Sequence, residues 1–330
     1  MNTADLNHLV ESLVEIALTD DSKLRPGADD LILRKRKALA RLQDSDSFRR
    51  LLEQAEFAER LRSLMDALRE KWRDFSSQGI QRIASLDPES FMRHYLLPSV
   101  PVVLEAAASE WPAINKWCPQ WFQETFGNQD VEISDHRRSD MNYEARFGAH
   151  RRTVPFGEFL ERVKSDRTND CYLVAQNKLL EKPAFERLLD DIGDLPGILD
   201  RSRKDAESVQ LWLGPAGSST PIHHDLTDGL IVQVDGRKRV ILLSPYETEE
   251  LQRAYRNIGR AGPGIEPIGS TTTRTIGWSG EVVLGPGDIL FVPLGWWHCV
   301  ENLTPCISLS MQNLVSAGYR WDHPDFRGYF

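Results

Sequence analysis

Two histidines and an aspartate stand together in "TPIHHDLTDG", residues 220–229. Both side-chain types bind metal ions. The stretch follows the strand-like run "VQLWLG" and the turn "PAGSST", and it precedes the apolar run "GLIVQV". In an extended chain residues i and i+2 point to the same face, so His223 and Asp225 can grip one ion while His224 points away. A third ligand is available in "GPGDILFVPLGWWHCVENL", where His298 follows a tight turn and a strand, beside Trp296 and Trp297. Two neutral imidazoles and one carboxylate on one side of a metal form the facial triad of non-haem Fe(II) oxygenases. Zinc hydrolysis can use similar ligands, so these three residues alone leave the reaction open. A second His-x-Asp triplet, His323-Pro324-Asp325, has no strand pattern around it and no room downstream for further ligands.

Lys238 narrows the choice. It follows "GLIVQVDGR" on the next expected strand, where an inward ammonium is costly unless it meets an anion. A dicarboxylic cosubstrate that chelates the metal through a 2-oxo acid end would bring its far carboxylate to such a lysine. Thr220, three residues before His223, could add a hydroxyl hydrogen bond.

These residues need a scaffold, and the chain changes character near residue 78 to supply one. Before it, apolar residues recur at helical spacing over 3–19, in "ADDLILRKRKALARL", and most clearly in "DSDSFRRLLEQAEFAERLRSLMDALREKW". After it come "LDPESFMRHYLL", a helix with Asp87 as N-cap and Pro88 at its first position, and then "VPVVLEA", "CYLVAQN", "SVQLWLG", "GLIVQVD", "KRVILLSP", "GEVVLGPGDILFVP" and "CISLSMQ". Short strands separated by turn signals indicate a sandwich, barrel or jelly roll. The expected division is a helical module over 1–78 and a β-rich catalytic domain over 79–330.

Composition excludes little. With 41% hydrophobic and 27% charged residues, the 330-residue chain reads as an ordinary globular protein. Residues 1–75 carry 14 basic and 15 acidic side chains, so most of the formal charge of −9 sits in the β-rich part and argues against broad nucleic-acid binding. A local basic patch stays compatible with that balance. Cys118, Cys171, Cys299 and Cys306 form no CxxC pair and are expected as free thiols. No apolar run is long enough to cross a bilayer and "MNTADLNHLVESL" is unlike a signal peptide, so no membrane partner and a cytoplasmic location are expected.

Together, "TPIHHDLTDGLIVQVDGRKRVILLSP", "GPGDILFVPLGWWHCVENL" and the entry segment "ASLDPESFMRHYLLPSVPVVLEAAASEWPA" resemble the JmjC-type, cupin-fold 2-oxoglutarate oxygenases, and within them the factor-inhibiting-HIF-like hydroxylase branch. The resemblance spans roughly residues 80 to 313. It implies a mainly β fold with helical additions, a double-stranded β-helix, holding Fe(II) by His223, Asp225 and His298. It also implies 2-oxoglutarate on Lys238 and Thr220, with O2 as the other cosubstrate. Tyr172 matches a position where the family places a tyrosine on the cosubstrate. Two departures stand out: Gly229 and Ser310 occupy places where the family often has asparagine.

The implied reaction is hydroxylation of an amino-acid side chain in a protein or peptide, with release of succinate and CO2. Oxidation of a small metabolite or a modified RNA nucleoside, demethylation, and a binding protein with a vestigial site are the alternatives. The Gly-, Thr- and Arg-rich stretch between "LLSPYETEE" and "GEVVLGPGD" is expected at the substrate groove. The uninterrupted helix over 46–74 is expected to serve a homodimer.

Overall fold

The structure, a computed structural model, describes residues 46–76, 79–85, 87–140, 143, 146–200, 202, 208–225, 227–247 and 279–315. The helices expected over 3–19 and in "ADDLILRKRKALARL", the stretch expected at the substrate groove and the His323 triplet lie outside these residues. The chain divides into two compact units, Met1–Asp74 and Phe75–Phe330.

In the first unit the helix expected from the three- and four-residue apolar steps is α1, Asp46–Ser76. No glycine or proline interrupts it. Its apolar side chains are not all sheltered: Phe57 is 69% exposed and Leu64 54%, with Leu61 exposed between them.

The second unit is a jelly roll. Its larger sheet runs in the order β1-β2-β10-β7-β12-β5 and its smaller sheet β6-β11-β8-β9. The strands are β1 Gln81–Ile83, β2 Val102–Leu104, β5 Val209–Gly214, β6 Ser219–His224, β7 Gly229–Asp235, β8 Lys238–Leu243, β9 Ser279–Leu284, β10 Ile289–Val292, β11 Trp297–Asn302 and β12 Cys306–Met311. All neighbouring pairs are antiparallel except β1 with β2. A separate hairpin, β3 Asp130–Ser134 with β4 Arg151–Pro155, stands beside them.

The period-2 pattern of the strands explains which face turns where. On β12, Ile307, Leu309 and Met311 alternate with Ser308 and Ser310. The apolar set joins Leu211, Leu213, Leu230, Val232 and Phe291 in one buried cluster with Phe122, Phe156, Phe159 and Phe185. Those aromatics come largely from the helices α2 Pro119–Phe126 and α3 Phe156–Ser165. The alternate set therefore faces the interior between the two sheets. By register, Gln210 opposes Ser310 and Trp212 opposes Ser308 on β5, while Ile231 and Gln233 take the same places on β7. The inner wall of the larger sheet thus mixes Ser308, Ser310, Gln210 and Gln233 with Trp212 and Ile231.

The entry segment folds as its capping residues dictate. Asp87 accepts from Ser90 N at 2.9 Å, Pro88 starts a short helix, and a wider π turn over Met92–Leu96 follows. "CYLVAQN" does not form a ladder strand. Tyr172 and Leu173 make only isolated bridges, to Ser134 and Leu213. Gln176 then turns the chain away at φ 59°.

Candidate metal and cosubstrate site

The sheet register assembles the metal ligands. β6 and β11 are antiparallel neighbours in which His223 is the direct partner of His298 and His224 of Trp297. Direct partners project on the same face, so the two imidazoles meet, with ring centroids 4.2 Å apart. Asp225 follows β6, and its Oδ2 lies 3.8 Å from His298 Nε2. Two backbone ties hold the loops that carry these groups: Gly295 N–H donates to Asp225 O at 3.0 Å, and Leu294 N–H to Asp228 Oδ1 at 2.9 Å.

The tautomers follow from the partners. His223 Nδ1 lies 2.8 Å from Pro221 O, and His298 Nδ1 lies 3.0 Å from Trp296 O. A carbonyl oxygen only accepts, so each Nδ1 carries the proton and each Nε2 keeps its lone pair. Burial first and the neighbouring His223 second hold His298 well below the usual imidazole range, which keeps it neutral. Donor atoms of His223, Asp225 and His298 all lie within 4.8 Å of one another. Atoms 3.8 Å apart can each sit about 2 Å from one centre, the ordinary distance for nitrogen and oxygen ligands. The set fits a divalent transition metal. His224 takes the opposite face, exposed, with its ring edge-on to Trp297 at 4.4 Å.

Lys238 lies farther along the inner face of the smaller sheet. It opposes Asn302 on β11, four residues beyond His298, or about 13 Å along the strand. The β7–β8 turn aims it there. Gly236 sits at φ +77°, and a Cβ on it would fall 2.0 Å from Pro305 O, so only glycine fits. Lys238 is 2% exposed and donates to Ser308 Oγ. Burial pushes its ammonium down to about 8. Arg239, next in sequence, faces outward near Glu281 and Glu301 at 3.5 and 3.6 Å.

Thr220 is three residues from His223, an odd spacing that would put it on the opposite face of a regular strand. A register shift between His298 and Val300 makes Thr220 the partner of Val300, so it shares the inner face after all. Tyr172 is fully buried with its ring 5.7 Å from that of Trp212. Ser310 accepts from Trp212 Nε1 at 2.9 Å, and it is Ser308, two residues earlier, that touches Lys238. Ser308 escaped notice because one serine in "CISLSMQ" looks like another until register places them. Trp296 is structural, donating to Ser99 O at 2.9 Å. All four cysteines are free thiols. No described helix is long and apolar enough to cross a membrane.

A second group with ligand-like donors, Asp135, His136 and Asp170, is already occupied by a cation of the chain itself. Arg162 lies 2.7 Å from Asp135 and 3.7 Å from Asp170.

Residues 88–312 match the model of a family described as a cupin-like domain. Among curated proteins the chain is 28% identical over 242 residues to lysine-specific demethylase 8 of Xenopus tropicalis, covering 71% of this chain and 53% of that one. It is 28% identical over 250 residues to lysine-specific demethylase JMJ30 of Arabidopsis thaliana, covering 72% and 55%. It is 24% identical over 258 residues to the human tRNA wybutosine-synthesizing protein 5, covering 73% and 80%. The chain spans about half the length of the first two relatives.

Proposed function

The chain belongs to the cupin-like domain family, and on that premise we propose that it is an Fe(II)- and 2-oxoglutarate-dependent oxygenase that hydroxylates an amino-acid side chain of a protein or peptide. One observation carries this. A two-histidine, one-carboxylate cluster and a buried ammonium that meets no carboxylate among the described residues lie on one face of the smaller sheet, four residue positions apart along β11. His223, Asp225 and His298 would hold the metal. Iron, 2-oxoglutarate and O2 together supply the oxidation: one oxygen atom enters succinate as CO2 leaves, and the other enters the substrate C–H bond.

The chain's own residues bind and orient. Lys238 receives the carboxylate remote from the metal, with Ser308 steadying its ammonium. Tyr172 and Thr220 are the hydroxyls offered to the cosubstrate, and Ser310 accepts from Trp212 next to the Tyr172 ring. The Nδ1 contacts with Pro221 O and Trp296 O orient both imidazoles and leave each Nε2 for the metal. The apolar outer face of the larger sheet excludes water from behind.

The test is incubation with Fe(II), 2-oxoglutarate and candidate peptides, followed by mass spectrometry and succinate assay. A gain of one oxygen on peptide supports the proposal. Succinate formed with release of formaldehyde indicates demethylation instead, in line with the names of two relatives. Turnover on tRNA would follow the third, and the chain's net charge does not set that outcome aside. The factor-inhibiting-HIF-like branch, the 1–78 and 79–330 division and a homodimer through α1 stand as parts of the same proposal.

A further inference from the structure

Arg137 is 1% exposed, whereas His136 and Arg138 on either side of it are exposed. Burying a guanidinium is costly, so its surroundings must repay it. The backbone is bent to achieve the burial. His136 takes the left-handed conformation at φ 55°, a strained setting for a residue with a Cβ, and a 3-10 turn over Arg137–Ser139 follows. The turn is then pinned: Arg137 N–H donates to Asp170 O at 3.1 Å and Arg138 N–H to Asp170 Oδ1 at 3.1 Å.

Among the described residues, Tyr143, Tyr172 and Ser219 receive the guanidinium. Its carbon lies 4.3 Å from the ring centre of Tyr143 and 5.4 Å from that of Tyr172, both within cation–π range. Its Nη2 donates to Ser219 O at 2.8 Å. Tyr172 is one of the residues assigned to the cosubstrate, and Ser219 is the backbone neighbour of another, Thr220. The Tyr172 ring is confined on its other sides by Trp212 and by Gly214, where a Cβ would lie 2.5 Å from the ring. Arg137 thus touches one hydroxyl-bearing wall residue directly and grips the strand that carries the next.

We propose that Arg137 is a positioning residue of the cosubstrate pocket, which holds Tyr172 and Thr220 in place to bind the dicarboxylate and adds a buried positive charge beside it. This rests on the 2-oxoglutarate assignment above. A planar guanidinium can lie on two rings and still donate in its own plane, which a lysine ammonium cannot do. Arg137→Lys therefore keeps the charge and loses the geometry, and Arg137→Met loses both.

The experiment is an anaerobic titration of the Fe(II) protein with 2-oxoglutarate, followed by the visible charge-transfer band. Iron affinity and thermal midpoint are measured alongside. The expected result is at least tenfold weaker 2-oxoglutarate binding in R137M and at least threefold in R137K, with iron affinity within twofold of wild type in both. A role in stability alone would lower the midpoint and leave the dissociation constant of the folded protein unchanged, which overturns the proposal. R137K carries the same test should R137M fail to fold. A wild-type band with both variants within twofold overturns the proposal and leaves the cosubstrate assignment standing. A wild-type protein that gives no band overturns both.

Discussion

Lys238 Nζ donates to Ser308 Oγ inside the barrel, and among the described residues no carboxylate joins them. The fold therefore holds a buried ammonium whose natural counter-charge would arrive with a ligand. Lowering its pKa from 10.5 to about 8 represents about 3 kcal/mol of stability that the ligand-free protein forgoes at neutral pH.

Lys238→Met is accordingly expected to affect binding and stability in opposite directions. An anion deprived of its buried partner loses about 2–5 kcal/mol, a rise of roughly thirtyfold or more in the dissociation constant for 2-oxoglutarate. The ligand-free variant should unfold at higher urea than wild type, by about 1–3 kcal/mol, because a charge has left the interior. Unchanged 2-oxoglutarate binding would transfer the anion to another cation. Arg239 is a poor substitute, since it faces Glu281 and Glu301 outside the barrel.

The pH dependence has a definite sign. Between about pH 8 and 10.5 the folded, ligand-free protein binds fewer protons at Lys238 than the unfolded chain does. The lysine's penalty is thus full below pH 8, and its contribution to stability improves as pH rises through that window. A dicarboxylate reverses the shift by favouring the ammonium. Its affinity should be level below about pH 8 and then fall toward tenfold per unit. Calorimetry at about pH 9 in buffers of different ionisation enthalpy should show proton uptake on binding. Zero uptake would mean that Lys238 is not the anion's partner.

Substitution of the triad separates ligands from their neighbour. His223→Ala, Asp225→Ala and His298→Ala should each abolish iron binding and 2-oxoglutarate turnover. His224→Ala should retain iron, because its ring lies on the other face of β6 against Trp297. Iron content by mass spectrometry decides it, and loss confined to His224→Ala would reverse the assignment.

Gly236→Ala probes the turn that delivers Lys238. Its added Cβ would lie 2.0 Å from Pro305 O and 2.7 Å from Thr304 Oγ1, at a positive φ. Clash and backbone strain together should cost about 2–4 kcal/mol in chemical denaturation. A cost below about 0.5 kcal/mol would show that the turn relaxes freely.

The helix α1 carries the homodimer proposal. Leu61→Glu with Met65→Glu should reduce the mass in light scattering from two chains to one, with iron binding intact. Wild type at 37.6 kDa under micromolar conditions would dispose of the dimer.

The strand-like run "CISLSMQ", the Asp87–Pro88 helix start and the two-residue spacing of His223 and Asp225 are all local properties. They made the β-rich architecture, α1 and the candidate ligands legible in the sequence, because period, turn chemistry and side-chain direction depend on near neighbours alone. Three other features depend on register between distant strands or on burial. The register shift on β6 brings Thr220 to the inner face against the parity of its spacing. Ser308 rather than Ser310 meets Lys238 because β12 pairs with β7 and β5 in one particular alignment. Arg137 is turned inward onto Tyr172 by the left-handed His136, while Arg138 next to it stays exposed. A one-residue slip of any strand would exchange its two faces, so these placements were decided only when the sheets closed on one another.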